Sequence, residues 1–299
     1  MPNIKGIKNR ISSVNDTRKI TNAMYLIAST KMRKSKVELD RTRPYFEAVK
    51  AEMKRIFRIE EQIDSRYMYP QNRVEASLRT YAILVITADK GLAGSYNKNI
   101  IREALLLKNE HPDSRLYVVG GYGRRYFKKH GIPIVEDFDF DATAPTMQRA
   151  TQIRDILLSE FDSGNVSKIF VVYTDFINTM TADACSTRIL PFHRKDFTFF
   201  RDRGEKEVKI PFEFYPSPAK VLDSIVPQYL SGFIYSALTD SFCCEQNSRM
   251  NAMDSANRNS DELISELQTL QNHQRQTLIT QEISEVSSGA LAMKKKNKV

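Results

Sequence analysis

Apolar side chains recur three and four residues apart over the first forty residues. The strict stripe is Ile4, Ile7, Ile11, Val14, Arg18, Thr21, Tyr25, Ala28, Met32, Ser35 and Leu39, and eight of these eleven positions are apolar or aromatic. That spacing is the coiled-coil period. Ile20, Met24 and Ile27 add a neighbouring stripe, so the apolar face is wider than a two-helix seam needs. No proline falls between Asn3 and Arg43. Pro44 is a place for a bend, after which helix can resume through Tyr45–Ile59.

The last part of the chain is also helical by its pattern. Ser217 and Pro218 suit a cap and a first-turn position. Pro227 is the last proline, and neither glycine nor proline falls between Gly232 and Gly289. One helix of about 70 residues would be ~105 Å long, more than a compact domain of this size requires. Leu222, Ile225, Tyr229 and Phe233, then Leu263, Leu267 and Leu270, make an apolar seam. Between Cys244 and Ser260 the sequence turns to Asn, Ser and Ala, and small residues such as Ala252, Ser255 and Ala256 admit a second helix closely. Such a face suits a rod in a partly wetted sleeve better than a buried core.

The middle of the chain changes period. Tyr81–Ile86 is a continuous apolar run, as in a strand buried on both faces. Leu116–Val119 and Ile169–Tyr173 are two more, and 181–190 can add a fourth. Helical stretches lie near Asn97–Asn109, Tyr122–His130 and Thr146–Phe161. This alternation predicts a small parallel α/β sheet. Residues 195–217, with Phe197, Phe199, Phe200 and Phe212, read as a hairpin or irregular lobe. The expected fold is α/β plus long helices: an antiparallel coiled coil of the N- and C-terminal helices with an inserted α/β domain. Its parts are 1–59 (N-terminal helix), 75–217 (α/β domain and foot) and 218–299 (C-terminal helix and basic tail).

Charge sharpens this picture. The 299 residues carry a net +9. Residues 1–60 hold 15 basic and 6 acidic side chains, residues 219–293 hold 4 and 9, and a tail, Lys294–Lys298, adds four lysines. Two such helices side by side attract each other, and the basic one can also hold an acidic partner. Lys31, Arg33, Lys34 and Lys36 form a basic cluster beside the apolar stripe. No apolar run approaches the roughly 20 residues of a membrane span. Met1–Lys5 lacks the apolar region of a signal peptide, so the mature protein is expected to start at or near Met1. Cys185, Cys243 and Cys244 lack the spacing of a zinc site or a disulfide framework, which suits a reducing compartment.

The candidate chemistry is sparse. Thr87–Asn97 follows a strand and opens a helix, the place where a glycine loop can cradle phosphate. It lacks both G-x-G-x-x-G and a P-loop Lys-Ser/Thr, so a tight turn explains its glycines as well. Gly120, Gly121 and Gly123 repeat the case at a second strand end. His111, His130, His193 and His273 have no neighbouring ligand set. Glu282 and Glu285 share a helix face and read as solvated. No catalytic, cofactor-binding or metal-binding residue is assigned, and no cofactor.

Several segments carry a family resemblance. Thr17–Met24 and Ala28–Met32 resemble the N-terminal helix of ATP synthase gamma subunits. Ile279–Ala290 resembles their C-terminal signature, Ile-Thr-x-Glu-x-x-Glu-x-x-x-Gly-Ala. Between them Asp89–Leu92 with Gly94 and Asn97, Tyr173–Phe176, Pro216–Pro218, and Arg249, Met250, Ala252 and Met253 follow in the family's order. Ala93 stands where Cys is frequent, Cys244 where Ser is usual, and Tyr215 where Glu commonly precedes the Pro-x-Pro. The resemblance implies a non-catalytic central rotor shaft. Its coiled coil would stand inside a head of three alpha and three beta subunits. Its α/β domain and foot would sit against the epsilon subunit and the membrane c-ring. Proton flow would turn it, with sodium left open as the coupling ion. Membrane association would be indirect, at the cytoplasmic face of the bacterial inner membrane. Met24, Lys31, Arg33, Arg249, Gln276, Thr280, Glu282 and Glu285 match positions near coupling contacts, with Arg249 expected to bond across to Gln276 or Thr280 on a neighbouring surface.

Two other readings stand beside this one. A nucleic-acid-binding coiled coil would follow from the +9 charge, and the acidic C-terminal helix argues against it. A nucleotide-binding enzyme would centre on Asp89–Asn97, and the missing phosphate-loop signature argues against that.

Overall fold

A computed structural model describes residues 4–59, 63, 65–69, 80–176, 182–193, 197 and 214–296. The lobe expected over 195–217 lies outside the described residues except for Phe197 and 214–217, as do 75–79 and the last three residues of the tail. The elements run α1 (Ile4–Ile59), β1 (Tyr81–Ile86), α2 (Tyr96–Glu110), β2 (Arg115–Val119), α3 (Gly121–Lys129), α4 (Met147–Asp162), β3 (Lys168–Phe176), β4 (Ala182–Leu190) and α5 (Pro218–Lys296). Contacts within the chain divide it into two units, residues 1–27 with 250–299, and residues 28–249.

The larger unit is built on the sheet, in the order β2-β1-β3-β4. β1 pairs in parallel with β2 and with β3, with Leu84 opposite Tyr117 and Val171. The fourth strand, expected within 181–190, runs antiparallel to β3, so the sheet is mixed rather than wholly parallel. Residue by residue the apolar runs divide between two layers, as the two-residue period of a strand requires. Leu84, Ile86, Tyr117, Val119, Ile169 and Val171 enter a core with α4, the end of α1 and the start of α5. Ile83, Val85, Leu116, Val118 and Val172 enter a second core with α2 and Phe127 of α3. Thr146 caps α4 by accepting from the Arg149 amide at 3.2 Å. Ser217 accepts from the Lys220 amide at 3.3 Å, and α5 begins at Pro218, as its sequence predicts.

In this unit α1 and α5 run antiparallel. Lys31 faces Glu245, Lys36 and Asp40 face Cys243, and Arg43 faces Asp240. The Tyr45 hydroxyl donates to Gln228 Oε1 at 2.9 Å. The Phe46 ring lies directly on Gly232, where an added Cβ would overlap it. In the smaller unit the same direction holds. Arg18 pairs with Asp261, and the Thr21 hydroxyl bonds the Asn257 side chain. Every position of the α1 stripe from Ile4 to Leu39 is buried or half-buried except Arg18. The neighbouring stripe behaves otherwise: Met24 is half-buried, while Ile20 is 62% and Ile27 55% exposed.

Gly232→Ala is expected to destabilise the chain by about 1–3 kcal/mol, the usual cost of overpacking. Adding Phe46→Leu should recover part of that loss. Denaturant unfolding of both variants checks it; an unchanged midpoint in the single variant would contradict the packing described.

Candidate functional site

The loop after β1 is where an α/β sheet commonly binds ligands, and here the chain fills it with its own groups. Asp89 is the centre. Its carboxylate accepts from the amides of Gly121 at 3.2 Å, Ala142 at 3.0 Å and Thr143 at 2.9 Å, and from the Thr143 hydroxyl. Gly121 is the first residue of α3, so a side-chain anion occupies that helix N-terminus. Burial pushes the Asp89 pKa up, but the hydrogen bonds from Thr143, Ala142 and Gly121 outweigh it and hold the carboxyl below its usual range. Thr87 Oγ1 donates to the Val119 carbonyl at 2.9 Å and accepts from the Gly123 amide at 3.1 Å. Asn97 Oδ1 accepts from the Ala88 amide at 2.9 Å. Gly120 has a φ of 94° and Thr87 and Ala88 carbonyls against it, so no Cβ fits. The glycines are those of a packed turn.

This loop is latched to α5. Arg249 donates to the Gly91 carbonyl at 3.2 Å and pairs with Glu245 at 2.6 Å. The side chains of the pair are 12% and 8% exposed. Burial raises the Glu245 pKa, and Arg249 draws it back only in part. The Gln246 amide donates to the same carboxylate at 3.2 Å. One turn earlier, Ser241 accepts from the Thr174 amide at 3.2 Å, and the Cys244 thiol lies 3.8 Å from the Thr174 carbonyl. Asp240, beside these contacts, is pushed up to about 7 by burial first and by Asp175 second, while Ser236 and Arg43 pull the other way.

The expected contact residues fall into two groups. Lys31 and Arg249 both face Glu245 in the larger unit, and Arg33 is exposed near them on α1. Gln276, Thr280, Glu282 and Glu285 are exposed on α5 in the smaller unit, and Met24 is half-buried there. Within the larger unit the Arg249 guanidinium is engaged by Glu245 and the Gly91 carbonyl. The Thr280 hydroxyl instead bonds the Gln276 carbonyl at 2.9 Å, and the Gln281 amide donates to Glu285 at 3.0 Å. Glu245 and Asp240 were missed. The Glu245–Arg249 spacing of four residues was the available signal; nothing local marks Asp240 as half-buried.

A last feature is an uncovered stripe. The register of Arg18 with Asp261 and Thr21 with Asn257 sets Ile4 level with about residue 275 of α5. Past that level Leu278, Ile279, Ile283 and Val286 are exposed, Ile283 at 64% and Val286 at 74%. Among the described residues no group of His, Cys, Asp and Glu could hold a metal ion, and no helix is long and apolar enough to cross a membrane.

A family model described as ATP synthase matches residues 3–293. The ATP synthase gamma chain of Caldanaerobacter subterraneus subsp. tengcongensis is 41% identical over 288 residues, covering 94% of this chain and 97% of that one. The chain belongs to the ATP synthase gamma-chain family. The sodium ion specific ATP synthase gamma chain of Acetobacterium woodii is 32% identical, with 97% of this chain and 99% of that one covered. Among solved structures, a chain of the Euglena gracilis mitochondrial ATP synthase assembly of OSCP, F1 and c-ring matches with a TM-score of 0.66 at 15% identity, covering 99% of this chain and 96% of that one. A chain of the Tetrahymena thermophila central stalk and c-ring matches with a TM-score of 0.59 at 23% identity, covering 79% and 99%. At these identities the likeness is one of fold, and it includes the long helices flanking a small sheet. Gamma-family membership also makes the chain a non-catalytic, peripheral subunit.

Two half-buried acids, Asp89 and Asp240, give opposite pH signatures. The lowered Asp89 pKa contributes stability above the unfolded value near 3.9, lost as pH falls through the folded value. Asp89→Asn should therefore lose about 1–2 kcal/mol at pH 7 and converge with the parent as pH falls below the folded-state pKa of Asp89. The raised Asp240 pKa does the reverse: the folded chain holds the extra proton, so stability falls as pH rises from about 4 to about 7. Asp240→Asn should be the more stable protein at pH 8, by an amount on the order of 2–4 kcal/mol, with the gap closing near pH 4. Urea unfolding across pH reads both; the same sign for the two variants at pH 8 would contradict the assignment.

Proposed function

We propose that this gamma-family chain is the central rotor shaft of an F-type ATP synthase. It couples ion flow through the membrane sector to ATP synthesis, or hydrolysis, at partner beta subunits. The observation that carries the reading is the uncovered apolar stripe on α5. A lone helix with Ile283 and Val286 in water needs a sleeve, and a ring of alpha and beta subunits supplies one. The partners are three alpha and three beta subunits around the helices, with an epsilon subunit and a c-ring at the other end. The proton is the expected coupling ion. The chain acts on the cytoplasmic face of a bacterial inner membrane. Its parts are the helix 1–59, the α/β domain and foot 75–217, and the helix and tail 218–299.

The mechanical role is differential contact. A shaft turns a head only if each beta conformation fits one face of the shaft better than the others. Lys31 and Arg33 in the larger unit, and Met24, Gln276, Thr280, Glu282 and Glu285 in the smaller one, are the side chains that would make such contacts. Arg249 acts one step back, holding the loop at Gly91 against α5. The nucleotide-enzyme reading is disfavoured, because Asp89 takes the amides an incoming phosphate would need.

Co-expression with alpha and beta subunits from the same source tests the assignment. A native mass of three alpha, three beta and one copy of this chain is expected, with ATPase activity that depends on it. If the chain stays apart from well-folded alpha and beta subunits, the shaft reading fails, and salt-dependent nucleic-acid binding becomes the reading to test. In the assembled enzyme Arg249→Ala should lower ions pumped per ATP hydrolysed by about threefold or more, since a buried latch is worth roughly 1–3 kcal/mol. An unchanged ratio would remove Arg249 from the coupling path.

A further inference from the structure

Both long helices carry a proline well inside them, Pro44 in α1 and Pro227 in α5. The two lie at one level of the larger unit. The residues that follow them, Tyr45 and Gln228, bond to each other at 2.9 Å. A proline within a helix supplies no N–H, so the carbonyl four residues back loses its helical partner. Here those carbonyls belong to Asp40 and Asp223. Helices kink at such places. One interrupted helix is splinted by an intact neighbour; here both ladders are interrupted side by side.

The surroundings of this level are specific. Beside them the Phe46 ring rests on Gly232, where the absence of a Cβ makes room for it between the helices. From α4, Arg154 donates to the Pro227 carbonyl at 3.3 Å and to the Ser231 hydroxyl at 2.7 Å. Ser65 donates to the Asp223 carboxylate at 3.0 Å.

We propose that the opposed prolines, Pro44 and Pro227, form a bending joint in the α1–α5 pair, with Phe46 on Gly232 as its pivot and Arg154 as the strap that limits its opening. The joint is a property of the chain itself, and its test does not depend on the rotor reading. Each ladder already lacks one bond here, so local opening of the pair at this level costs fewer hydrogen bonds than opening elsewhere along it. The close contact at Gly232 fixes where the axes stay together while they do so.

Amide hydrogen exchange on the full chain, read by mass spectrometry, tests this. Peptides spanning 38–48 and 221–232 should exchange about tenfold faster than those spanning 28–36 and 235–243, since local opening sets the rate. Pro44→Ala should slow the first peptide and Pro227→Ala the second; alanine is the better helix former, so both variants fold. The double variant should bring both peptides to the rate of their flanks. Arg154→Gln should quicken 221–232 and leave 28–36 as it was. Uniform exchange along both helices in the parent chain would overturn the joint. Fast exchange that survives in the double variant would overturn it equally, by showing that the prolines are not its cause.

Discussion

The pairing of two unequal helices governs everything else in this chain. α1 has 56 residues and α5 has 79. An amphipathic helix must cover its apolar stripe, and α1 can cover α5 only for its own length. Where the two meet, the stripe of α1 is buried or half-buried and the pairing is set by polar partners such as Thr21 with Asn257. Past the start of α1 the apolar positions of α5 continue without cover. Each exposed Ile or Val forgoes roughly 1.5–3 kcal/mol of burial. A stripe of three such residues with Leu278 beside them is therefore a surface suited to another protein. Ile20 and Ile27, on the second stripe of α1, belong to the same class.

The α/β sheet fills the position where such folds commonly bind a ligand with its own carboxylate. Parallel strands place turn and helix N-terminus where an anion could sit, and here Asp89 is that anion. The substitution of carboxylate for phosphate makes the turn self-sufficient. It also leaves the next segment free for a mechanical task, since Gly91 offers its carbonyl to Arg249. A sheet whose loop is filled this way is joined to α5 without a ligand.

The features with a strong period were legible in the sequence. The three-four spacing of α1, the apolar runs of β1, β2 and β3, and the Ser217-Pro218 start of α5 each specify their own local structure. The direction of β4 was not legible, because Ala182–Leu190 alternates too weakly to say which neighbour or orientation it takes. The reach of Arg249 was not either. A helix pattern shows that Glu245 and Arg249 share a face, but only packing shows that this face turns inward to Gly91. Asp240 and Pro227 make the same point. Both are plain in the sequence, and what they face comes from the antiparallel register of two segments nearly 200 residues apart.

That register explains why a buried ion pair is worth keeping at the latch. Withdrawing Glu245 and Arg249 from water costs several kcal/mol per ion, and an apolar pair of the same volume would hold α5 to the sheet as firmly. An apolar contact, however, tolerates a slide of one turn, because Leu, Ile and Val recur along the helix. The guanidinium does not: with one nitrogen on Glu245 of the same helix and the other on the Gly91 carbonyl, a displacement of one turn carries the ion pair along with α5 and costs the loop its bond to Arg249. In a helix 79 residues long, with small polar residues through its middle, that penalty sets the position of the loop along α5. Stiffness at Arg249 and softness at the opposed prolines are then complementary: the sheet stays fixed to α5 while the helix pair flexes a few turns away.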